Sequence, residues 1–337
     1  MSKLVDGIVE AQGLSESSKA QYLEKLSTLT KLTGQSLEWI LDHPEEVYAA
    51  ILKSYTSSST HRAFIAAIKA VYHYNEGLQA SKHAAYEKYA EYQAIASQVL
   101  QDRYMNAEPS DRERKNWVPW AEVLAKEREL AATQCGSTDH LLLAMYCLIE
   151  PLRQDFGKLR VLLDRMPPSD STRNFLAIAR DGSWGKLILN QYKTAKHYST
   201  FERDLPPNLL RIIKASLIAH PRRYLFVTEH GLPYEKSNSF TQFSNRVLKR
   251  LFGRAFTVSM MRHSRISSID FNVSTPGQLF STAHNMRHSL ATQQLYRRQV
   301  TPLPPPQPAA AVTDPTDSHQ GRITHGSNGE RFIQLAL

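Results

Sequence analysis

A chain of 337 residues with 42% apolar side chains is long enough for two domains with real cores. Its 41 lysines and arginines against 32 acids leave a formal charge of +9, which favours a polyanionic partner. The most apolar run, "HLLLAMYCLIEPL", is too short to span a bilayer and ends in charge and proline, and "MSKLVDGIVEAQ" has no apolar signal-peptide core. Cys135 and Cys147 lack CxxC spacing, which argues against a zinc ribbon and for a reducing compartment, nucleus or cytoplasm, and not for secretion.

The first stretch predicts helices. Ser17 or Ser18 caps a segment with Tyr22, Leu26 and Leu29 on one face, stopping near Gly34. Ser36 caps "SLEWILDH", and Pro44 opens "PEEVYAAILKSY" with acids at the positive end of the helix dipole. "SSSTHRAFIAAIKAVYHYN" turns Phe64, Ile68 and Val71 or Tyr72 inward. A fifth helix, "HAAYEKYAEYQAIASQVLQDRY", carries tyrosines at 86, 89 and 92, read as a packing stripe. Short amphipathic segments with short turns make a helical bundle over 1–105.

The polar, proline-containing "MNAEPSDRERKN" marks a linker at 106–116. A second core over 117–300 starts with helices in "WVPWAEVLAKERELAA" and "STDHLLLAMYCLIEPL". "KLRVLL" and "KLILNQYKTAKHYSTFERDLP" then switch to strand character, with an exposed turn near Tyr192 to His197. "PNLLRIIKASLIAH" returns to helix. "LFVTEHGLPYEKSNSFTQFSNRVLKRLFG" reads as a short extended piece, a turn and a helix. The fold class is therefore mainly α with a small β-sheet (α+β). Residues 301–337, rich in proline and small polar residues, predict a disordered tail, and its apolar end at 332–337 has no core of its own and is a candidate docking segment.

The second core spaces out a chemically coherent set. Arg153 follows an apolar helix, Lys193 sits in the turn, Arg262 lies in "TVSMMRHS", His288 in "NMRHS", and Tyr296 in "TQQLYRR". Transesterification of a phosphodiester needs a hydroxyl nucleophile, fixed cations for the non-bridging oxygens and a proton for the leaving oxygen. Arginines suit the oxygens with planar donor forks that keep their charge. A histidine adds a hydrogen bond or a base, a lysine on a turn reaches the leaving oxygen, and a tyrosine forms the covalent intermediate. Taken singly, Arg153 could pair with Asp155 or Glu150, and His288 or Tyr296 could be structural; the order in which they occur points to chemistry. No carboxylate sits at ligand spacing from His263, His284 and His288, so no metal is expected.

In this order the residues resemble the tyrosine recombinases of the phage-integrase type. "PLRQDFGKL" is similar to the family's first arginine box, with Asp155 as its acidic follower. "NQYKTAK" is similar to its lysine turn, Lys193 matching best and Lys196 in reserve, and "SMMRHS" and "MRHSLATQQLY" to the boxes that end in the tyrosine. The resemblance covers nearly everything up to about residue 300. It implies a core-binding domain followed by a catalytic domain, Arg153, Lys193, Arg262, His288 and Tyr296 as catalytic residues, and a homo-tetramer on double-stranded DNA. It also implies a 3′-phosphotyrosine intermediate without metal, ATP or other cofactor. Mobile-element and large-DNA-virus integrases are the nearest type. Ser259 stands where the family has histidine or lysine three residues before the second arginine, and His288 to Tyr296 is one residue shorter than the common spacing. Ser259, Asp155, Lys196 and His263 are accessory residues in this scheme. Arg287, Arg297 and Arg298 are expected as DNA-phosphate contacts or solvated charges. A type IB-like topoisomerase and an inactive integrase-derived DNA-binding protein are the alternatives.

Overall fold

The computed structural model describes residues 3–192, 195, 199–235 and 238–300, which belong to one compact unit, Met1–Pro302. The class is as expected, mainly helical with a four-stranded sheet. No described helix is long and apolar enough to cross a membrane.

The N-terminal helices are α1 (Asp6–Glu10), α2 (Glu16–Thr33), α3 (Leu37–Asp42), α4 (Pro44–Ser54), α5 (Ser58–His73), α6 (Leu78–Ser81) and α7 (His83–Met105). Ser15, not Ser17 or Ser18, caps α2 through a bond from the Ser18 amide, because the helix starts one turn before its apolar stripe. Gly34 ends it in the left-handed region at φ 68°, where glycine carries no Cβ penalty. Ser36 caps α3, and Pro44 opens α4 with Glu45 and Glu46 in the first turn. Phe64, Ile65, Ile68, Val71 and Tyr72 of α5 are buried and join α2, α3, α4 and α7 in one apolar core. The α7 tyrosines do pack: Tyr89 is fully buried, while Tyr86 and Tyr92 lie against the same core.

The expected linker is not a plain loop. It contains α8 (Asp111–Asn116), opened by a capping box between Ser110 and Glu113. Helices α9 (Trp120–Thr133) and α10 (Thr138–Cys147) then begin a second core that runs through Met261. Strands β1 (Arg160–Leu163), β2 (Phe175–Ile178), β3 (Gly185–Leu189) and β4 (Phe201–Asp204) form a sheet in chain order, with β1 parallel to β2 and the other pairs antiparallel. β2 was not anticipated; it is buried at every position, so it lacks the alternation that marks a half-exposed strand. The expected extended piece near Leu225 reduces to a single bridge between Tyr224 and Arg160.

Helices α11 (Pro207–Ala219), α12 (Ser239–Phe252), α13 (Val258–Ser267), α14 (Pro276–Asn285) and α15 (Leu290–Gln294) complete the unit. Thr257 caps α13, the helix that carries Arg262. Ser289 caps α15, so Tyr296 lies in the turn just beyond a five-residue helix.

Candidate active site

Arg262 organises the site. It is 2% exposed, on the inward face of α13. Its Nη1 donates to the Pro151 carbonyl at 2.5 Å, and both terminal nitrogens donate to the Met286 carbonyl at 3.2 Å. One guanidinium thus clamps the loop bearing Arg153 to the turn bearing His288. Only an arginine has enough fixed donors to do this and keep its charge while buried. Burial pulls its pKa below the usual value.

Arg262 Nη2 also lies 3.3 Å from His288 Nδ1. A guanidinium only donates, so Nδ1 accepts and the imidazole proton sits on Nε2. Nε2 is buried and has no partner among the described residues, as is Nε of Arg262. Burial, then Arg262, Arg153 and His263, lower the His288 pKa to about 3, so the ring is neutral. The site therefore offers a neutral N–H donor beside two cations.

The Tyr296 ring is held on several sides. His263 stacks on it at 4.5 Å, His288 meets it edge-on at 5.1 Å, and the Arg262 guanidinium carbon lies 5.4 Å from its centroid. His263 Nδ1 donates to the Tyr296 backbone carbonyl at 2.8 Å, fixing main chain and ring together. Burial alone would raise the Tyr296 pKa, but the positive charges of Arg262 and Arg153 outweigh it, and the phenol is more acidic than a free one. Arg153 is half-buried, and its carbonyl is tied down by the Tyr146 hydroxyl at 2.8 Å. Glu150 is not its partner; it takes two bonds from Arg265. Burial raises the pKa of Asp155, with Arg153 and Arg262 working against the shift.

A cleft of about 650 Å³ opens beside the tyrosine, lined by Tyr296, His263, Ser259, Thr257, Gln154 and Arg103 among others. Ser259 is exposed there, in the first turn of α13.

Of the expected residues, Arg153, Arg262, His288 and Tyr296 converge, with His263 and Asp155 beside them. Lys193 and Lys196 lie outside the described residues. Two of the expected phosphate contacts are placed differently. Arg287 is 4% exposed, in the left-handed region at φ 57°. It donates to the Tyr192 hydroxyl and packs on the rings of Tyr192 and Phe201 at 4.9 and 4.8 Å. It thus ties the His288 turn to the residue before Lys193. Arg298 is 6% exposed, bonded to Glu113 at 3.0 Å and to the carbonyls of Leu295 and Arg297. Arg297 remains exposed, over the ring of Phe271 at 4.6 Å. Sequence reasoning missed Glu113; its one signal was the Ser-x-x-Glu pattern of a capping box.

No protein-family model matches the chain, and no curated protein matches it. Among solved structures it is similar to one titled "Crystal structure of XerA recombinase", at a TM-score of 0.37 and 14% identity, over 88% of this chain and 93% of that one.

Proposed function

We propose that this chain is a DNA strand transferase, a site-specific recombinase or integrase that cuts and rejoins DNA through Tyr296. The observation that carries this reading is the Tyr296 ring packed against the Arg262 guanidinium at 5.4 Å and His288 at 5.1 Å, with the unpartnered His288 Nε2–H beside them and the charges of Arg262 and Arg153 acting on the phenol. A phosphodiester at this point would place its non-bridging oxygens among two guanidinium forks and one neutral donor.

The Tyr296 phenol gives up its proton to solvent and its oxygen attacks phosphorus; the bond from phosphorus to the 5′-oxygen breaks, and that oxygen leaves with a proton. The product is a 3′-phosphotyrosine and a free 5′-hydroxyl. A 5′-hydroxyl of a partner duplex reverses the step, so one phosphoester is exchanged for another and no ATP is consumed. By resemblance, Lys193 supplies the proton to the leaving oxygen. Exchange between two duplexes requires four protomers, and a mobile genetic element is the setting this chemistry suits.

Covalent trapping tests the reading. The protein is incubated with nicked duplexes drawn from DNA flanking its own reading frame, beside Tyr296→Phe, and run on a denaturing gel. An adduct present in the wild type and absent from Tyr296→Phe is expected. An adduct that persists in the variant, or duplex binding with no adduct at all, defeats the assignment.

A further inference from the structure

The tyrosine cleft has others for neighbours. A second cleft shares Gln154 with it and reaches Arg173; a third shares Arg173 and is lined by Arg160 and Arg165; a fourth shares Arg165 and is lined by Arg223. Strand alternation explains the layout. Arg160 and Leu162 face one side of the sheet edge, Val161 and Leu163 the other, and Arg165 just past β1 borders both sides. The Arg223 carbonyl accepts from the Val161 amide, which holds that arginine's backbone against the edge.

Six arginines border these outer clefts, and two already have protein partners. Arg180 pairs with Asp164 at 2.9 Å, and Arg222 donates to the carbonyls of Ser216, His220 and Leu225. Arg160, Arg165, Arg173 and Arg223 have no carboxylate within 4.0 Å among the described residues. Arg165, Arg173 and Arg223 are exposed and Arg160 is half-exposed. Four unneutralised guanidinium groups along one edge, in clefts that border one another from the tyrosine cleft outward, match a chain of phosphates more closely than a single anion.

We propose that the β1 edge is a second phosphate-backbone surface, which grips the duplex flank leading away from the bond cut at Tyr296. The inference rests on the strand-transferase reading and adds a footprint to it. Arg160, Arg165, Arg173 and Arg223 act through charge without reading bases, so they lengthen the bound duplex and do not select its sequence.

The test measures duplex affinity against salt for the full chain and for a variant carrying Arg160→Gln, Arg165→Gln, Arg173→Gln and Arg223→Gln. Two duplexes share the same cleavage point, one of roughly two helical turns and one of roughly five. The wild type is expected to bind the longer duplex more tightly and with a steeper salt dependence. The variant should bind both alike, its slope on the longer one reduced by about 0.9 for each phosphate it no longer neutralises. Lysine at the same four positions should restore the slope, because the interaction is one of charge. Adduct formation on the short duplex should be unchanged.

A variant that keeps the wild-type slope and length dependence overturns the proposal and leaves the function standing. So does one that instead aggregates, since charge on a sheet edge also opposes edge-to-edge pairing. Binding of an acidic peptide at this edge in place of duplex overturns it as well. A wild type that binds no duplex of either length overturns the strand-transferase reading and this one with it.

Discussion

The Glu113 carboxylate and the Arg298 guanidinium form a buried ion pair of 3.0 Å that joins α8 to the chain just past the tyrosine. Each has further bonds: Glu113 accepts from the Ser110 amide and hydroxyl, and the Arg298 side chain reaches two carbonyls of its own turn. Removing one partner leaves the other charged and enclosed. Glu113→Ala should destabilise the fold by about 3–5 kcal/mol, read as a lower midpoint in urea. Burial raises the Glu113 pKa, but the Ser110 bonds and Arg298 outweigh it, so the net shift is downward. This contribution is therefore complete above the ordinary carboxylate pKa and is lost as pH falls through the lower folded value. Equal midpoints for wild type and variant at neutral pH would refute the pair's role.

Tyr296 should ionise below the pH expected of a free phenol. The check is the ultraviolet difference titration of wild type against Tyr296→Phe, which isolates one phenol. Arg153→Gln should move that titration upward by removing one of the two charges that favour the phenolate. Cleavage by the wild type should then rise with pH until the phenol is ionised. A Tyr296 titration at or above the free value would contradict the geometry.

His263 and His288 should make the protein acid-sensitive well above the carboxylate range. Burial, with nearby arginines, holds His263 at about 4 and His288 at about 3. Both are neutral in folded and unfolded chains above about pH 6.5. Below it the unfolded chain takes protons that the folded chain refuses, so stability falls by up to about 1.4 kcal/mol per pH unit for each ring. The urea midpoint should drop between pH 7 and pH 5, and less so with glutamine at both positions. A midpoint constant over that range counts against burial of both rings.

Ser259→His should speed adduct formation by about a hundredfold, the low end of what a positioned proton carrier contributes. The position is exposed in the cleft beside Tyr296, so a larger side chain fits without entering the core. Ser259→Ala is the control and should leave the rate near that of the wild type. If histidine and alanine give the same rate, no proton is moved from this position.

Tyr72 and Tyr89 should each carry part of the stability of the N-terminal helices. Their hydroxyls donate to the carbonyls of Leu41 and Ile40, at the end of α3. Carbonyls in a last helical turn have no partner within the helix, and Pro44 next in line brings no N–H. Replacing either tyrosine by phenylalanine should cost about 1–3 kcal/mol, measured by denaturant unfolding. Unchanged stability in both variants would mean that water satisfies those carbonyls.

Much of the fold was legible because its signals are local. Ser36, Gly34 and Pro44 act through their own backbone geometry, and the α5 stripe is a matter of spacing. The convergence of Arg153, Arg262, His288 and Tyr296 was legible in chain order but not in its cause. The Pro151 and Met286 carbonyls that Arg262 gathers are backbone atoms, which no residue pattern marks. Arg287 and Arg298 looked like surface charges because an arginine's partner decides where it goes. For Arg298 that partner is 185 positions away. Strand β2 escaped because a short, wholly apolar run reads equally as strand or helix.

The Gln299 amide bonds to the Ala107 carbonyl at 2.8 Å, only three positions past the tyrosine. That bond works as a mechanical anchor. Tension applied to the chain beyond residue 300 is borne first by the junction between α7 and α8 and by the Arg298–Glu113 pair. Tyr296 feels the pull only after those have yielded, so the nucleophile is insulated from a load on the chain that follows it.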